Sequence, residues 1–227
     1  MKDDLLDRIK SGSHWTLRIL PASGEVDQLG LTESLELVGK HKLSIRGWDF
    51  PHISHRNDEH GGTVRDGKFI ENWTDWASRQ EFWRFYKSGQ FIYMERLEEE
   101  SHPLNSTTNY VDMISAIYTF TEYFVFAERL SGTRAYNGHC KVSVTFNCKS
   151  PVQLYAGRNR VPFFDPKIFS GDEIFIERDV LDYGDPYGGK KLAQEAILEF
   201  FDYFGWNPDQ SMVVSEQEKY FSRNFGA

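Results

Sequence analysis

Residues Asn109 to Leu130 carry the longest helical periodicity in the chain, with Ile114, Ile117, Tyr118, Thr121 and Phe124 recurring three and four apart and Gly132 following. A helix with so apolar a face must be enclosed by other elements. It is therefore expected to be the central buried helix. The chain has 227 residues, 40% of them apolar, enough for one large domain or two small ones. One domain over 1–227 is expected. After Gly205-Trp206-Asn207-Pro208 the pattern Ser215-Glu216-Gln217-Glu218 resembles a capping box, so the chain should end in a short helix or a flexible tail from about 207.

The remaining segments are read from their periods. Asp3 to Lys10 places Leu5, Leu6 and Ile9 at helical spacing, and Trp15 to Leu20 alternates with Trp15, Leu17 and Ile19 on one face. Thr32 is a plausible N-cap for a helix carrying Leu35 and Val38. Leu43 to Phe50 reads as a strand, and the polar stretch from His52 to Asp66, with Gly61-Gly62, as a loop. Phe82 to Glu95 forms two aromatic strands about Ser88-Gly89, with a helix from Trp76 to Lys87 as the alternative. Val142 to Phe146, Val152 to Tyr155 and Ile174 to Ile176 are further strands, and a helix runs from about Lys191 to Phe204. Strands grouped as hairpins between single helices predict an α+β fold: a mainly antiparallel sheet with helices packed on one face.

Composition narrows function. A net charge of -8 and a pI near 5.4 disfavour broad electrostatic nucleic-acid binding. The first residues, Met1-Lys2-Asp3-Asp4, carry acids where a secretory signal needs a basic flank, and no run approaches the roughly 20 apolar residues of a membrane span. A cytoplasmic protein is expected, with oligomeric state open. Cys140 and Cys148 fall on one expected strand, roughly 26 Å apart, and cannot pair unless the chain folds back. The sequons at Asn72 and Asn105 then read as chance.

Chemistry concentrates between Arg46 and His60, which holds three of the seven histidines. Asp49, His52, His55, Asp58 and His60 offer imidazole and carboxylate ligands suited to a divalent metal ion, and hence to a metal-dependent hydrolase or nuclease. Their spacing lacks a helical repeat, and only His102 and His139 could serve as remote ligands, so a solvated histidine loop is the plainer reading. Arg46 and Trp48 flank Gly47 and could form a cation and ring platform for an anionic or aromatic ligand. Alternatively Trp48 is core and Arg46 pairs with Asp49 or another acid.

Other motifs are weaker. Gly184 to Lys191 fits a phosphate-binding loop except at Lys191, where Ser or Thr is required, and otherwise reads as a turn into a helix. His139 and Cys140, adjacent in a strand, point to opposite faces. The rings Trp83, Phe85, Phe91 and Tyr93, interleaved with Arg84 and Lys87, could stack bases or pack beneath a helix. Glu122 and Glu128 bracket the apolar part of the central helix, where a buried carboxylate could titrate or bind a ligand and a solvated one would do neither.

The Trp15 strand, Arg46-Gly47-Trp48-Asp49-Phe50-Pro51-His52, Trp83-Arg84-Phe85-Tyr86-Lys87-Ser88-Gly89-Gln90-Phe91 and Tyr118-Thr119-Phe120-Thr121-Glu122 together resemble an uncharacterised family of bacterial proteins. That family carries Arg-Gly-Trp, then Asp or Tyr, Phe or Tyr, Pro and His. The resemblance spans most of the chain. Members occur alone or beside Schlafen-like ATP-binding and DNA-binding modules, which implies an accessory or sensory part in a regulatory or defence system and assigns no catalytic residue. The expectation is thus a non-catalytic intracellular module that binds a protein partner or small ligand through Arg46, Trp48, Asp49, His52 and His55. The metal-dependent enzyme is the alternative.

Overall fold

The computed structural model describes residues 4–22, 29–97, 109–148, 151–157, 160–181 and 188–222. His102, the Asn105 sequon and the first part of the Gly184 to Lys191 stretch lie outside them. The elements in order are α1 (Leu5–Ser11), β1 (His14–Pro21), α2 (Leu31–His41), β2 (Gly61–Arg65), β3 (Phe69–Trp76), β4 (Arg79–Tyr86) and β5 (Phe91–Arg96). Then come β6 (Asn109–Asp112), α3 (Met113–Ser131), β7 (His139–Asn147), β8 (Val152–Tyr155), β9 (Lys167–Phe169), β10 (Glu173–Leu181), α4 (Gly188–Asp202) and α5 (Gln210–Ser222).

The fold is α+β. Seven strands form one antiparallel sheet in the order β10-β7-β1-β5-β4-β3-β2, and β6-β8-β9 form a second. Alternation decides which side chains meet the core. Trp15, Leu17 and Ile19 stand opposite Glu95, Tyr93 and Phe91 on one neighbour and Phe146, Val144 and Val142 on the other. This face packs against α3, of whose nineteen residues fifteen are buried, so the helix is enclosed on nearly every side. Rings do much of the filling: Trp15 meets Phe120 edge-on at 5.7 Å and Phe146 at 4.5 Å. Each such pair contributes about 0.5–1.5 kcal/mol beyond area burial. Trp83, Phe85, Phe91 and Tyr93 are all buried in this layer, which leaves none of them displayed for base stacking. The opposite face of the sheet holds Trp73, Phe82 and Met94, and α1 covers it with Leu5 and Ile9.

The hairpin, β1, β7, β8 and β10 lie where periodicity places them. Several segments differ from expectation. Asn109 to Asp112 is strand rather than helix, because Asp112 is an extended N-cap whose side chain accepts the Ser115 N–H at 2.8 Å. Leu43 to Phe50 is a closed loop: only its ends pair, through two backbone hydrogen bonds of 2.7 Å, and Gly47 turns the chain at φ +79°. The polar stretch before Asp66 contains β2, where a Cβ on Gly62 would lie 2.6 Å from the Trp73 ring, so the glycine that looks like a loop signal is a close approach. Ser215 to Glu218 lies inside α5, which begins after Asp209, whose carboxylate accepts the Ser211 N–H at 2.8 Å. Likewise α2 starts at Leu31, ahead of Thr32. Among the described residues no helix is long and apolar enough to cross a membrane.

Candidate functional site

Register sets two carboxylates side by side. Glu81 of β4 pairs directly with Glu95 of β5, and both stand on the core face, in phase with Trp83, Phe85, Phe91 and Tyr93. Opposite residues of an antiparallel pair bring their Cβ atoms within about 5.5 Å. Arg79, two residues before Glu81 and so on the same face, bridges them. Its Nε donates to Glu81 Oε2 at 2.9 Å and its Nη2 lies 3.0 Å from Glu95 Oε1. The Tyr93 hydroxyl sits 2.7 Å from Glu81 Oε2 and 2.9 Å from Glu95 Oε2, and Trp48 Nε1 donates to Glu81 Oε1 at 2.9 Å. Burial pushes the Glu81 carboxyl up; Arg79 opposes this while Glu95 reinforces it. Burial would lower Arg79, but Glu95 and Glu81 outweigh it and hold the guanidinium firmly charged.

A second pair adjoins the first. Glu122, only 1% exposed on α3, accepts from Arg46 Nε at 3.0 Å and from Arg46 Nη2, and accepts the Tyr220 hydroxyl of α5 at 2.6 Å. Arg46 Nη2 also reaches Thr119 Oγ1 at 3.4 Å. Burial works against the Arg46 charge, and the Glu122 carboxylate, then Glu95, more than restore it. The loop turn at Gly47 makes this possible: it sends Arg46 to Glu122 and Trp48 to Glu81, so one short loop grips both buried acids.

Beside these pairs opens a recess of about 410 Å³. Arg46, Arg79 and Glu95 form its charged wall; Arg96 borders it at the end of β5, but its guanidinium turns to the other face of the sheet, to the Arg8 carbonyl and Gln80. Asp112, Ser115 and Thr119, spaced three and four apart along the start of α3, line another side. Trp15, Tyr110 and Tyr155 supply ring surface, the two tyrosines meeting edge-on at 5.4 Å across β6 and β8. Arg46 and Arg79 each direct Nε and Nη2 to acids. Among the described residues neither Nη1 has a protein partner.

Of the residues singled out in the sequence, Arg46 lines this recess and Trp48 supports it from behind, stacked on His52 at 4.0 Å with the Arg79 guanidinium 5.2 Å from its ring. Asp49 is held by Lys42 and Ser44, which keep its carboxyl low against the opposing effect of burial. His52 is drawn down to about 4 by burial, with Arg79 and Lys42 adding to it and Asp49 opposing. His55 is exposed, Asp58 pairs with Arg56, and the His60 ring lies 3.3 Å from the Asp75 carbonyl oxygen. Among the described residues no group of three or more His, Cys, Asp or Glu side chains is placed to hold a metal ion. His139 faces Asp179 at 3.0 Å while Cys140 points inward, and both cysteines are free thiols pushed by burial to about 12.

The site also uses residues the sequence did not single out: Arg79, Glu81, Glu95, Tyr110 and Tyr155. Glu81 and Glu95 share strand parity with buried rings, a signal available once the hairpin is drawn. No known protein family, curated protein or solved structure matches the chain.

Proposed function

We propose that this protein is a binding or sensing module without catalysis whose recess takes a small, ring-bearing organic anion. The observation that carries the reading is the pair of guanidiniums at the recess wall, each fixed by buried carboxylates and each with Nη1 uncommitted. A cation already locked in place loses little freedom on binding, so its remaining N–H groups act as a preformed anion receptor. The volume of about 410 Å³ suits a compound of one or two rings, and Trp15, Tyr110 and Tyr155 offer it apolar contact. An intracellular regulatory or defence setting for such a sensor is part of the proposal.

Thermal unfolding with benzoate, phenylacetate and 4-hydroxybenzoate, against benzylamine and benzyl alcohol as controls, tests this. A carboxylate present at a hundred times its Kd should add about 2.7 kcal/mol, a rise of roughly 5–10 °C for a chain of this size. Equal responses to carboxylates and controls, or none, would defeat the proposal.

A further inference from the structure

Acids outnumber bases around the recess. Arg46 and Arg79 face Glu81, Glu95, Glu122 and Asp112, so with every acid ionised the site carries negative charge in excess. An anion would then enter against the field. The hydrogen bonding at Tyr93 offers the remedy. Its hydroxyl has one hydrogen but contacts two carboxylate oxygens, at 2.7 and 2.9 Å. If both acids are ionised, one contact sets an oxygen lone pair against a carboxylate, which is repulsive; if one acid is protonated, it donates to the tyrosine oxygen and the tyrosine donates to the other. The geometry therefore accommodates one proton among the three groups.

We propose that Glu81, Tyr93 and Glu95 share a proton that admits a monoanionic carboxylate to the recess, so that ligand binding and protonation are thermodynamically linked. This rests on the proposed function and specifies its ligand charge and its control. Proton and anion favour each other because the proton takes one negative charge away from beside Arg46 and Arg79. Burial pushes Glu81 in the direction of holding that proton. The remaining charged and titratable groups around the trio are Arg79 on β4, Arg46 in the loop and His52 just beyond it, Glu122 and Tyr123 on α3, Asp112 and Tyr110 on β6, Tyr155 on β8 and Tyr220 on α5, while the Arg96 guanidinium lies on the other face of the sheet. Arg46 and Arg79 stay charged throughout, and burial keeps Tyr93, Tyr123 and Tyr220 neutral.

The bound anion raises the affinity of the trio for its proton, so the free protein loses the proton at lower pH than the complex does. Between those two points the Kd rises about tenfold per pH unit, and it is level on either side. Calorimetric titration with benzoate from pH 5 to 9 tests the linkage, run at each pH in two buffers of different ionisation enthalpy. In the rising limb nearly one proton should be taken up per benzoate bound. Glu81→Gln, a neutral mimic of the protonated acid, should bind benzoate with a Kd that no longer rises there. A pH-independent wild-type Kd with no proton uptake would overturn the linkage and leave the anion site standing, as would Glu81→Gln with the wild-type profile. Absence of benzoate binding at every pH would overturn the site and the linkage together. If Glu81→Gln does not fold, the two-buffer measurement on the wild type decides alone.

Discussion

Arg46→Met tests the buried ion pair on which the site is built. Glu122 is 1% exposed, so removing the guanidinium strands a carboxylate that water cannot reach. Breaking a buried pair from one side costs about 3–5 kcal/mol. The low end applies because the Tyr220 hydroxyl still donates to Glu122 at 2.6 Å. A loss of about 3 kcal/mol corresponds to roughly 6–12 °C in Tm. Glu122→Gln should cost less, about 1–2 kcal/mol, since the Arg46 side chain is 26% exposed and its guanidinium can turn toward solvent. The double variant removes both charges and should match Glu122→Gln alone, giving a coupling of about 3 kcal/mol in a double-mutant cycle. Urea unfolding at pH 7 measures all four proteins. An Arg46→Met loss below about 0.5 kcal/mol, or simple additivity, would refute the reasoning.

Other consequences follow from single contacts. Because the folded His52 titrates at about 4, below its unfolded value near 6.5, it contributes stability above pH 6.5 that is lost as pH falls toward 4. Half exposure keeps the effect modest, and His52→Phe, which retains stacking on Trp48, should flatten the urea midpoint across that window. Gly47→Ala places a side chain at φ +79° and should cost about 1–2 kcal/mol while weakening benzoate binding through Arg46; an unchanged protein would show that the turn does not set that arginine. Both thiols should resist a thiol-reactive dye in the native protein and react on unfolding, whereas a fast-reacting native thiol would contradict the burial of Cys140 and Cys148. Chelator should leave Tm unchanged, given how His52, His55 and His60 are dispersed; stoichiometric metal with a Tm loss on chelation would revive the metal reading.

Elements built on hydrophobic alternation or a helical stripe were legible: β1, the β4–β5 hairpin, β7 and the body of α3. β3 was not, because Glu71, Asn72 and Thr74 are buried on it and break the apolar period. Partners distant in sequence satisfy two of them: Arg84 donates to Glu71 at 2.6 Å, and the Ser54 N–H to Asn72 at 2.8 Å. The site shows the same division. Arg46 and Trp48 stood out by composition, yet their roles depend on a turn at Gly47 that a strand assignment conceals. Glu81 and Glu95 look like solvated charges until register puts them opposite each other beneath α3. The contact of Glu122 with Tyr220 spans 98 residues and has no local signal at all.

The most direct test of the anion site is a crystal structure of the protein with 4-bromobenzoate, the bromine located by its anomalous scattering. The account predicts the halogen among Trp15, Tyr110 and Tyr155, with the carboxylate hydrogen-bonded to Nη1 of Arg46 or Arg79. A fully occupied ligand on another surface, or an empty recess at saturating ligand, would contradict it.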